Sequence, residues 1–304
     1  MTGTVVITGG NGFVGQHLSA ELTAQWPEAT VVGFDLPDVD ITKLETYQQK
    51  IAELQPDWLV HLAALAAVGA ALDDPQRALA VNAEGTRTLL AQLQEDSPDT
   101  KTLVASSADI YGAAVTKYGD QPIPELSLQQ CQPQNPYAES KRAMEQLIEE
   151  SFADQVLRVR PFPHIGPGQQ RGFVTADFAW QIAAIEAGQQ PPTLTVGNLA
   201  AARDFTDVRD VVRAYRLLME YGQLGEVYNV ASGQPTSIQQ LLDQLLAVSS
   251  ADITVEQDPD KLRPSDIPVF TGDASTLQEA TLWQPTISLD QSLSDILDYW
   301  RQKQ

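Results

Sequence analysis

A tyrosine and a lysine that stand four residues apart could form an acid–base pair. Segment 137–141 reads YAESK, so Tyr137 and Lys141 project from the same face of a helix. A free tyrosine has a pKa of about 10, and a neighbouring ammonium group lowers that value because it favours the phenolate. Ser107, in segment 106–112 (SSADIYG), can hydrogen-bond the same substrate oxygen. We predict that Ser107, Tyr137 and Lys141 are catalytic, and we interpret the equally spaced Tyr299 and Lys303 as a chance match.

A glycine-rich loop follows the first run of β-branched residues. Segment 8–15 reads TGGNGFVG, which fits G-x-G-x-x-G from Gly10 and G-x-x-G-x-x-G from Gly9. Glycines between a strand and a helix let the backbone approach a pyrophosphate at the N-terminus of the helix. The loop therefore predicts a dinucleotide site that includes Gly9, Asn11, Gly12, Phe13, Val14 and Gly15.

An acidic residue lies where a dinucleotide would place its adenosine ribose. Asp35 ends the second predicted strand, 20 residues after Gly15 (35 − 15 = 20), and a carboxylate there can accept both ribose hydroxyls. A 2′-phosphate would meet like charge, and the nearest arginine along the chain is Arg77. Asp35 thus favours NAD(H), with NADP(H) left open.

The elements that must position these residues alternate between two patterns. β-Branched or apolar runs alternate with helical spacing in the first half, which is typical of βαβ units. The predicted strands are 5–8, 30–35, 58–62, 101–105 and 156–160, and the predicted helices are 13–26, 43–54, 75–93 and 137–152. Further helices are expected at 208–221, 237–248 and 289–300, with a strand at 227–230. We predict an α/β fold, a Rossmann-type doubly wound parallel sheet with a smaller C-terminal α/β substrate domain.

Prolines and glycines interrupt the alternation after Arg160, which places a domain boundary there. We expect the cofactor domain to comprise residues 1–162 and 204–232. The substrate domain would then comprise residues 163–203 and 233–304.

Composition limits the partners. The 304 residues carry a formal charge of −21, which disfavours nucleic acid, and no apolar stretch is long enough for a membrane helix. The single cysteine, Cys131, and a start without a leader pattern suggest a cytoplasmic protein. The three histidines lack metal-ligand spacing, so we expect no metal.

These residues resemble the extended short-chain dehydrogenase/reductase family, also called the NAD-dependent epimerase/dehydratase family. The resemblance rests on the glycine loop, Asp35, segments 40–41 (DI) and 61–64 (HLAA), and the catalytic trio. It implies a homodimer formed through a helix bundle of residues 84–95 and 137–152. It also implies that the cofactor contacts Leu36, Asp40, Ile41, Leu62, Ala63, Ala64, Tyr137, Lys141 and His164, the last by its backbone at the nicotinamide.

Within the family the chain looks like the GDP-6-deoxy-D-mannose reductases, in segments 161–169, 172–174, 196–199, 203–210 and 262–266. That resemblance implies reduction of the 4-keto group of GDP-4-keto-6-deoxy-D-mannose to give GDP-D-rhamnose. Arg203 and Arg263 would bind the pyrophosphate, since guanidinium groups bind phosphate in a bidentate manner. The implied substrate residues are Ser107, Asp109, Tyr137, Phe173, Val174, Asn198, Arg203, Arg263, Ser265 and Asp266.

One departure from that pattern leaves alternatives open. These reductases usually show Phe-Asn-His where this chain has Phe162-Pro163-His164, and proline offers no donor to a sugar. Three other functions therefore remain as hypotheses: a GDP-mannose 4,6-dehydratase that uses Asp109, an epimerase, and a non-catalytic NAD(H)-binding sensor. The C4 configuration of the product, rhamnose or 6-deoxytalose, also stays open.

Overall fold

The computed structural model describes residues 2–258 and 267–304. Its main sheet has six parallel strands in the order β10-β5-β4-β3-β1-β2. The strands are β1 (Gly3–Thr8), β2 (Ala29–Phe34), β3 (Trp58–His61), β4 (Lys101–Ala105), β5 (Val156–Pro161) and β10 (Val227–Val230). The order reverses between β1 and β3, and ligands of such sheets bind at the carboxyl ends of the strands at this point.

Helices cover both faces of the sheet. They are α1 (Phe13–Gln25), α2 (Gln48–Leu54), α3 (Val68–Asp73), α4 (Pro75–Leu79), α5 (Thr86–Asp96), α6 (Pro136–Ser151), α7 (Val174–Glu186), α8 (Val208–Tyr221), α9 (Ile238–Ala247), α10 (Ser275–Thr281) and α11 (Leu289–Arg301). Alternating strand residues point to opposite faces. Val5 and Ile7 pack in the cluster that α1 and α8 complete, whereas Val6 packs with α2, α5 and α6. The Rossmann-type α/β prediction is confirmed.

A second group of elements lies mainly in the C-terminal half. Its strands are β6 (His164–Ile165), β7 (Thr193–Val196), β8 (Ala202–Asp204), β9 (Thr206–Asp207), β11 (Pro235–Ser237), β12 (Thr254–Gln257) and β13 (Val269–Phe270). They form small sheets in the orders β11-β8-β13, β12-β7 and β6-β9. A separate apolar cluster joins α7, α9 and α11 and includes the fully buried Ile182, Leu241 and Ile296. The domain boundaries stay a prediction.

Two helices differ from their predicted extents. In segment 43–54 the α-helix begins only at Gln48, after a 3₁₀ turn, because the Thr46 hydroxyl hydrogen-bonds the backbone of Asp40 and Lys43. Segment 75–93 is broken into α4, a π-helical turn at Ala80–Gly85, and α5. In that turn the side chain of Asn82 is drawn inward to the backbone of Leu65.

The described ranges contain no helix that is both long enough and apolar enough to cross a membrane.

Candidate active site

The glycine loop forms a cradle at the N-terminus of α1. Gly9 has φ +73°, and a Cβ there would lie 2.9 Å from the amide nitrogen of Ala63. A Cβ on Gly15 would overlap the carbonyl oxygen of Gly9. Gly12 caps α1 in an extended conformation, and its N–H donates to Gly9 O at 3.0 Å. A side chain at Gly9 or Gly15 would therefore clash with the backbone, and the N-terminus of α1 that these glycines leave open can accommodate a pyrophosphate.

Asp35 lies beside the cradle at the end of β2. Its Oδ2 accepts the backbone N–H of Asn11 at 2.8 Å, and its Oδ1 accepts that of Leu36 at 2.8 Å. The carboxylate therefore ties the glycine loop to the next loop, and its remaining lone pairs can accept ribose hydroxyls. The structure thus brings together Asp35 and Asn11, two of the predicted cofactor residues.

Asp40 and Ile41, two of the predicted cofactor residues, lie in the segment after β2. Asp40 accepts the N–H and hydroxyl of Thr42 and pairs with Lys43 at 3.3 Å, and the Thr42 hydrogen bond lowers the pKa of its carboxyl. Ile41 is buried, and a Cβ on Gly85 would lie 3.4 Å from its Cδ1. The side chain of Asp40 is thus held by its neighbours.

The loop after β3 lies directly beside the glycine loop, since a Cβ on Gly9 would be 2.9 Å from Ala63 N. The N–H of Leu62 donates to Thr8 O at 3.1 Å, and the N–H of Ala63 donates to Thr8 Oγ1 at 3.2 Å. These bonds continue the β1–β3 pairing beyond the strand ends. Leu62, Ala63 and Ala64 therefore lie at the reversal point of the sheet, where the family resemblance places them against a cofactor.

Helix α6 carries Tyr137 and Lys141. It begins at Pro136 after the Asn135 cap, whose Oδ1 accepts the N–H of Ala138 at 2.9 Å. Lys141 is buried, and its Nζ donates to Ala105 O, at the end of β4, at 2.7 Å. Burial lowers the pKa of Lys141 to about 8, and Glu145 partly offsets that effect. The ammonium group is therefore held at the carboxyl end of β4, two residues before Ser107 in the chain.

The pKa of Tyr137 differs from our expectation. Burial raises it, and the neighbouring Asp109 raises it further, while hydrogen bonding with Ser107 lowers it. We expect Lys141 together with a positive nicotinamide ring to lower the pKa of Tyr137, and in the chain by itself desolvation of the phenolate dominates instead. Ser107 Oγ accepts the N–H of Asp109 at 3.1 Å, which leaves its hydrogen for donation. Tyr137 therefore stays protonated.

An electrostatic interaction links Asp109, after β4, to Arg203 in the second group of elements. Arg203, on β8, and Asp109 each shift the other's pKa through their opposite charges. Burial dominates both shifts, raising the pKa of Asp109 and lowering that of Arg203. The Nη1 of Arg203 donates to Ala202 O at 2.7 Å and to Ile267 O at 3.1 Å. The structure thus brings together Asp109 and Arg203, two of the predicted substrate residues.

His164 follows β5 and lies against the start of α1. Its ring stacks on Phe13, with centroids 6.1 Å apart and planes at 6°, and its Nδ1 lies 3.1 Å from Phe162 O. Burial lowers the pKa of His164. The neighbouring Pro163 contributes through its backbone, since its carbonyl oxygen accepts the N–H of Thr206 at 3.1 Å.

The other predicted substrate residues are more dispersed. Phe173 caps α7 and is 45% exposed, and Val174 is the first residue of that helix. Asn198 lies in the loop after β7, where its Oδ1 accepts the N–H of Ala200 at 2.9 Å. Arg263, Ser265 and Asp266 lie outside the described residues.

The structure also contains a chain of buried, hydrogen-bonded polar side chains that was not predicted from the sequence. It includes Thr8, Thr86, Asn82 and Ser140, each at most 1% exposed, with His61 between the two threonines. The available signal was a polar residue, Asn82, on the buried side of an otherwise helical segment.

Comparison with known proteins identifies the class. The model of the NAD dependent epimerase/dehydratase family matches residues 5–231, and the chain belongs to this family. It is an NAD(P)-dependent oxidoreductase of the extended short-chain dehydrogenase/reductase class. The family resemblance inferred from the sequence is confirmed.

Individual relatives narrow the comparison. The chain is similar to the GDP-6-deoxy-D-mannose reductase of Pseudomonas aeruginosa, with 38% identity over 100% of this chain and 99% of the relative. It shares 29% identity with the GDP-6-deoxy-D-talose 4-dehydrogenase of Aggregatibacter actinomycetemcomitans, over 90% of this chain and 89% of the relative. The solved structure of RMD from Pseudomonas aeruginosa complexed with NADPH has 36% identity and a TM-score of 0.84, over 99% of this chain and 100% of that one.

Proposed function

We propose that this chain reduces the 4-keto group of GDP-4-keto-6-deoxy-D-mannose and forms GDP-D-rhamnose. The observation that carries the proposal is the geometry of Tyr137, which hydrogen-bonds Ser107 and lies on the helix whose Lys141 donates to Ala105 O at 2.7 Å. The full-length similarity to a GDP-6-deoxy-D-mannose reductase supports this substrate.

In this proposal the glycine loop binds the cofactor, and helix α6 carries the residues that act on the substrate and the nicotinamide ribose. The reduced nicotinamide, when bound, supplies the hydride that C4 accepts. As the electron pair of the C=O bond moves to oxygen, Tyr137 donates its phenolic proton to that oxygen, and Ser107 donates a hydrogen bond to the growing charge. Lys141 would hold the nicotinamide ribose through its buried ammonium group. Gly9, Gly12 and Gly15 admit the pyrophosphate, and the carboxylate of Asp35 accepts from the adenosine ribose.

Turnover tests the reductase directly. The pure protein is mixed with fresh GDP-4-keto-6-deoxy-D-mannose and NADH or NADPH, and loss of the reduced-cofactor absorbance is followed. NMR of the product distinguishes rhamnose from 6-deoxytalose. Tyr137→Phe should lower kcat about 10²- to 10⁴-fold because it removes the general acid. Its cofactor dissociation constant should stay near that of the wild type. Wild-type turnover by this variant would refute the role of Tyr137.

We further propose that NADH is preferred, because Asp35 places a carboxylate where a 2′-phosphate would lie. Like charges of one and two units, taken as about 5 Å apart in water, repel by about 2 kcal/mol, and physiological salt roughly halves this. Asp35→Asn should therefore raise the ratio of NADPH to NADH affinity about 5- to 30-fold. The ratio cancels any loosening of the loop, since both cofactors meet the same loop. An unchanged ratio would remove Asp35 as the discriminator.

The sugar nucleotide is proposed to bind mainly in residues 163–203 and 233–304. Arg203 would pair with the pyrophosphate and Asp109 would face the sugar, while Phe173, Val174 and Asn198 line the approach. The sequence adds Arg263, Ser265 and Asp266 to this set. The Arg203–Asp109 attraction supports a site between the two groups of elements. Arg203→Ala should raise the KM for the sugar nucleotide much more than that for the cofactor.

A GDP-mannose 4,6-dehydratase is the second candidate. One observation favours it: burial raises the pKa of Asp109, which would let this carboxyl act as an acid near Tyr137. Incubating GDP-mannose with the protein as purified decides between the candidates, because a dehydratase forms the 4-keto-6-deoxy product without net consumption of cofactor.

We also propose a cytoplasmic homodimer built through residues 84–95 and 137–152. The apolar side chains of Ala143 and Leu147 on α6 are only partly buried within one chain, which supports this face as the contact. Sedimentation equilibrium tests the dimer. Leu147→Glu should dissociate it, and an unaltered mass for this variant would exclude this face.

A further inference from the structure

A guanidinium group lies against an indole ring at the start of helix α7. Arg171 precedes the helix, and its Cζ lies 3.6 Å from the centroid of the Trp180 ring. Its Nε also lies 3.6 Å from Asp177 Oδ1, in an ion pair whose side chains are 54% and 37% exposed. A cation over the face of a tryptophan is attracted by the ring, so this contact orients a side chain that solvent would otherwise leave free.

Both members of the ion pair keep hydrogen-bonding groups that the protein does not use. Asp177 Oδ1 accepts the N–H of Gly172 at 3.1 Å, whereas Oδ2 accepts no hydrogen bond from the described residues. The guanidinium of Arg171 has five N–H donors in a planar fork, and none of them reaches a hydrogen-bond acceptor within the described residues. The pair therefore offers a fork of donors beside a carboxylate acceptor at the surface.

Strand β7 returns along helix α7 and ends beside the start of that helix. Gln190 Nε2 donates to Gln181 O at 3.0 Å, and the N–H of Thr195 donates to Gln181 Oε1 at 3.0 Å. In a helix the carbonyl groups point toward the C-terminus and the side chains tilt toward the N-terminus. The strand therefore runs toward the N-terminus of α7. From Thr195 to Asn198 it advances at most about 10 Å, as much as about seven helical residues, which brings Asn198 level with the first turn of α7.

The segment that continues from Asn198 leads to Arg203. Val174 and Leu199 pack against the same apolar cluster, which keeps this segment against the start of α7. Arg203 follows Asn198 by five residues (203 − 198 = 5), a span of at most about 17 Å. A nucleoside diphosphate whose pyrophosphate pairs with Arg203 can thus extend its base toward Arg171. Phe173, 45% exposed, offers an apolar surface along this path.

The pattern of donors and acceptors in the ion pair matches one base. Guanine presents two adjacent acceptors, N7 and O6, followed by two adjacent donors, N1–H and the 2-amino group. A guanidinium fork donates to N7 and O6, which is the commonest specific contact of arginine with a base. A carboxylate accepts from N1–H and from the 2-amino group. Adenine, cytosine and uracil each lack or reverse at least one of these four groups.

We propose that Arg171 and Asp177 recognise the guanine base of the sugar nucleotide. Arg171 donates to N7 and O6, Asp177 accepts from N1–H and the 2-amino group, and Trp180 is a positioning residue that orients Arg171. The inference rests on the proposed function, which supplies a GDP-linked substrate with its pyrophosphate at Arg203. It adds a site for the base to the sites for cofactor and sugar.

Binding of nucleoside diphosphates to the NADPH-saturated protein tests the proposal without turnover. Calorimetric titration should show that GDP binds about 5- to 30-fold more tightly than inosine diphosphate, which lacks the 2-amino group. The same preference is expected over 7-deaza-GDP, which lacks N7, and ADP and UDP should bind more weakly still. If the wild type binds inosine diphosphate and 7-deaza-GDP as tightly as GDP, or does not bind GDP, the proposal is overturned.

Two variants assign the contacts to individual side chains. Asp177→Ala should abolish the preference for GDP over inosine diphosphate and keep the preference over 7-deaza-GDP, because Trp180 still orients Arg171. Arg171→Met should have the opposite effect on the two preferences. Neither variant should change the dissociation constant of NADPH. If either variant keeps both wild-type preferences, its side chain does not contact the base and the proposal is overturned.

Asp298→Ala is the matched control for Asp177→Ala. Asp298 is also an exposed carboxylate on a helix, and it pairs with Arg301 at 2.8 Å. Its removal should leave both nucleotide preferences at the wild-type values. Loss of the preferences in this control as well would show that they respond to surface charge in general and would overturn the proposal.

Turnover separates this proposal from the proposed function. If the wild type shows the expected preferences but reduces no GDP-linked keto sugar, the reductase assignment fails and the base site stands. If it reduces the keto sugar but binds all the diphosphates alike, the base site fails and the reductase assignment stands.

Discussion

The burial of Lys141 predicts that removing a catalytic residue will make the protein more stable. Lys141 is 4% exposed, and its pKa falls from 10.5 to about 8 because burial disfavours the ammonium form. Each pKa unit corresponds to about 1.4 kcal/mol, so the native state carries a penalty of about 3 kcal/mol whenever the lysine is charged in both states.

The pH range of this penalty follows from the two pKa values. Below about pH 8 lysine is protonated in both states, and the penalty is complete. Between pH 8 and 10.5 the unfolded chain binds more protons, so stability rises with pH, and above 10.5 the penalty is gone. Lys141→Met removes the charge and also the hydrogen bond to Ala105 O, which costs about 1 kcal/mol. The variant should be about 2 kcal/mol more stable at pH 7, should lose this advantage just below about pH 10, and should be about 1 kcal/mol less stable above pH 10.5, where only the lost hydrogen bond remains.

Urea unfolding at several pH values between 7 and 10.5 measures this difference. Other groups titrate in both proteins and cancel when the variant is compared with the wild type. Lys303→Met, at the exposed C-terminus, is the control and should change stability by less than about 0.5 kcal/mol. If the Lys141→Met protein is less stable than the wild type at pH 7, or if its advantage does not depend on pH, burial of the Lys141 ammonium group does not destabilise the native state.

Two further predictions concern residues that support the candidate site without reacting with the substrate. Glu145→Gln should cost about 3–5 kcal/mol, because it leaves the Arg160 guanidinium buried without the carboxylate that it meets at 2.9 and 2.7 Å. Urea unfolding checks this, and a loss below about 1 kcal/mol would contradict it. Gly15→Ala should weaken cofactor binding at least about tenfold, since its Cβ would displace Gly9 and narrow the cradle. Fluorescence titration with NADPH measures this change, and wild-type affinity would show that the loop adapts.

The parallel sheet could be predicted because its signals are local. Buried strands read as short β-branched runs, and segment 227–230 was predicted with the bounds of β10. The break in the helix at 75–93 could not be predicted from the sequence. Its π-helical turn depends on hydrogen bonds between Asn82 and Leu65, and the spacing of apolar residues carries no information about such long-range bonds. Long-range contacts overrode a sound local pattern.

The candidate site also has a part that local spacing predicts and a part that depends on long-range contacts. The glycine loop, Tyr137 and Lys141 follow fixed spacings, so the sequence could find them. The pairing of Asp109 with Arg203 joins residues far apart in the chain, and only the fold brings them together. The raised pKa of Tyr137 was not predictable, because it depends on how much water the finished structure excludes.

That raised pKa bears on the direction of the reaction. A reductase needs its tyrosine protonated when the substrate arrives, and burial together with Asp109 holds Tyr137 in that form. A dehydratase or an epimerase begins by oxidising an alcohol, so it needs the phenolate, which a low dielectric and a nearby carboxylate disfavour. The oxidised nicotinamide carries a positive charge that would oppose this, whereas the reduced ring carries none. In the chain by itself, burial and Asp109 therefore favour the protonated form of Tyr137, which is the form that donates a proton to a ketone, and desolvation also lowers the pKa of Lys141.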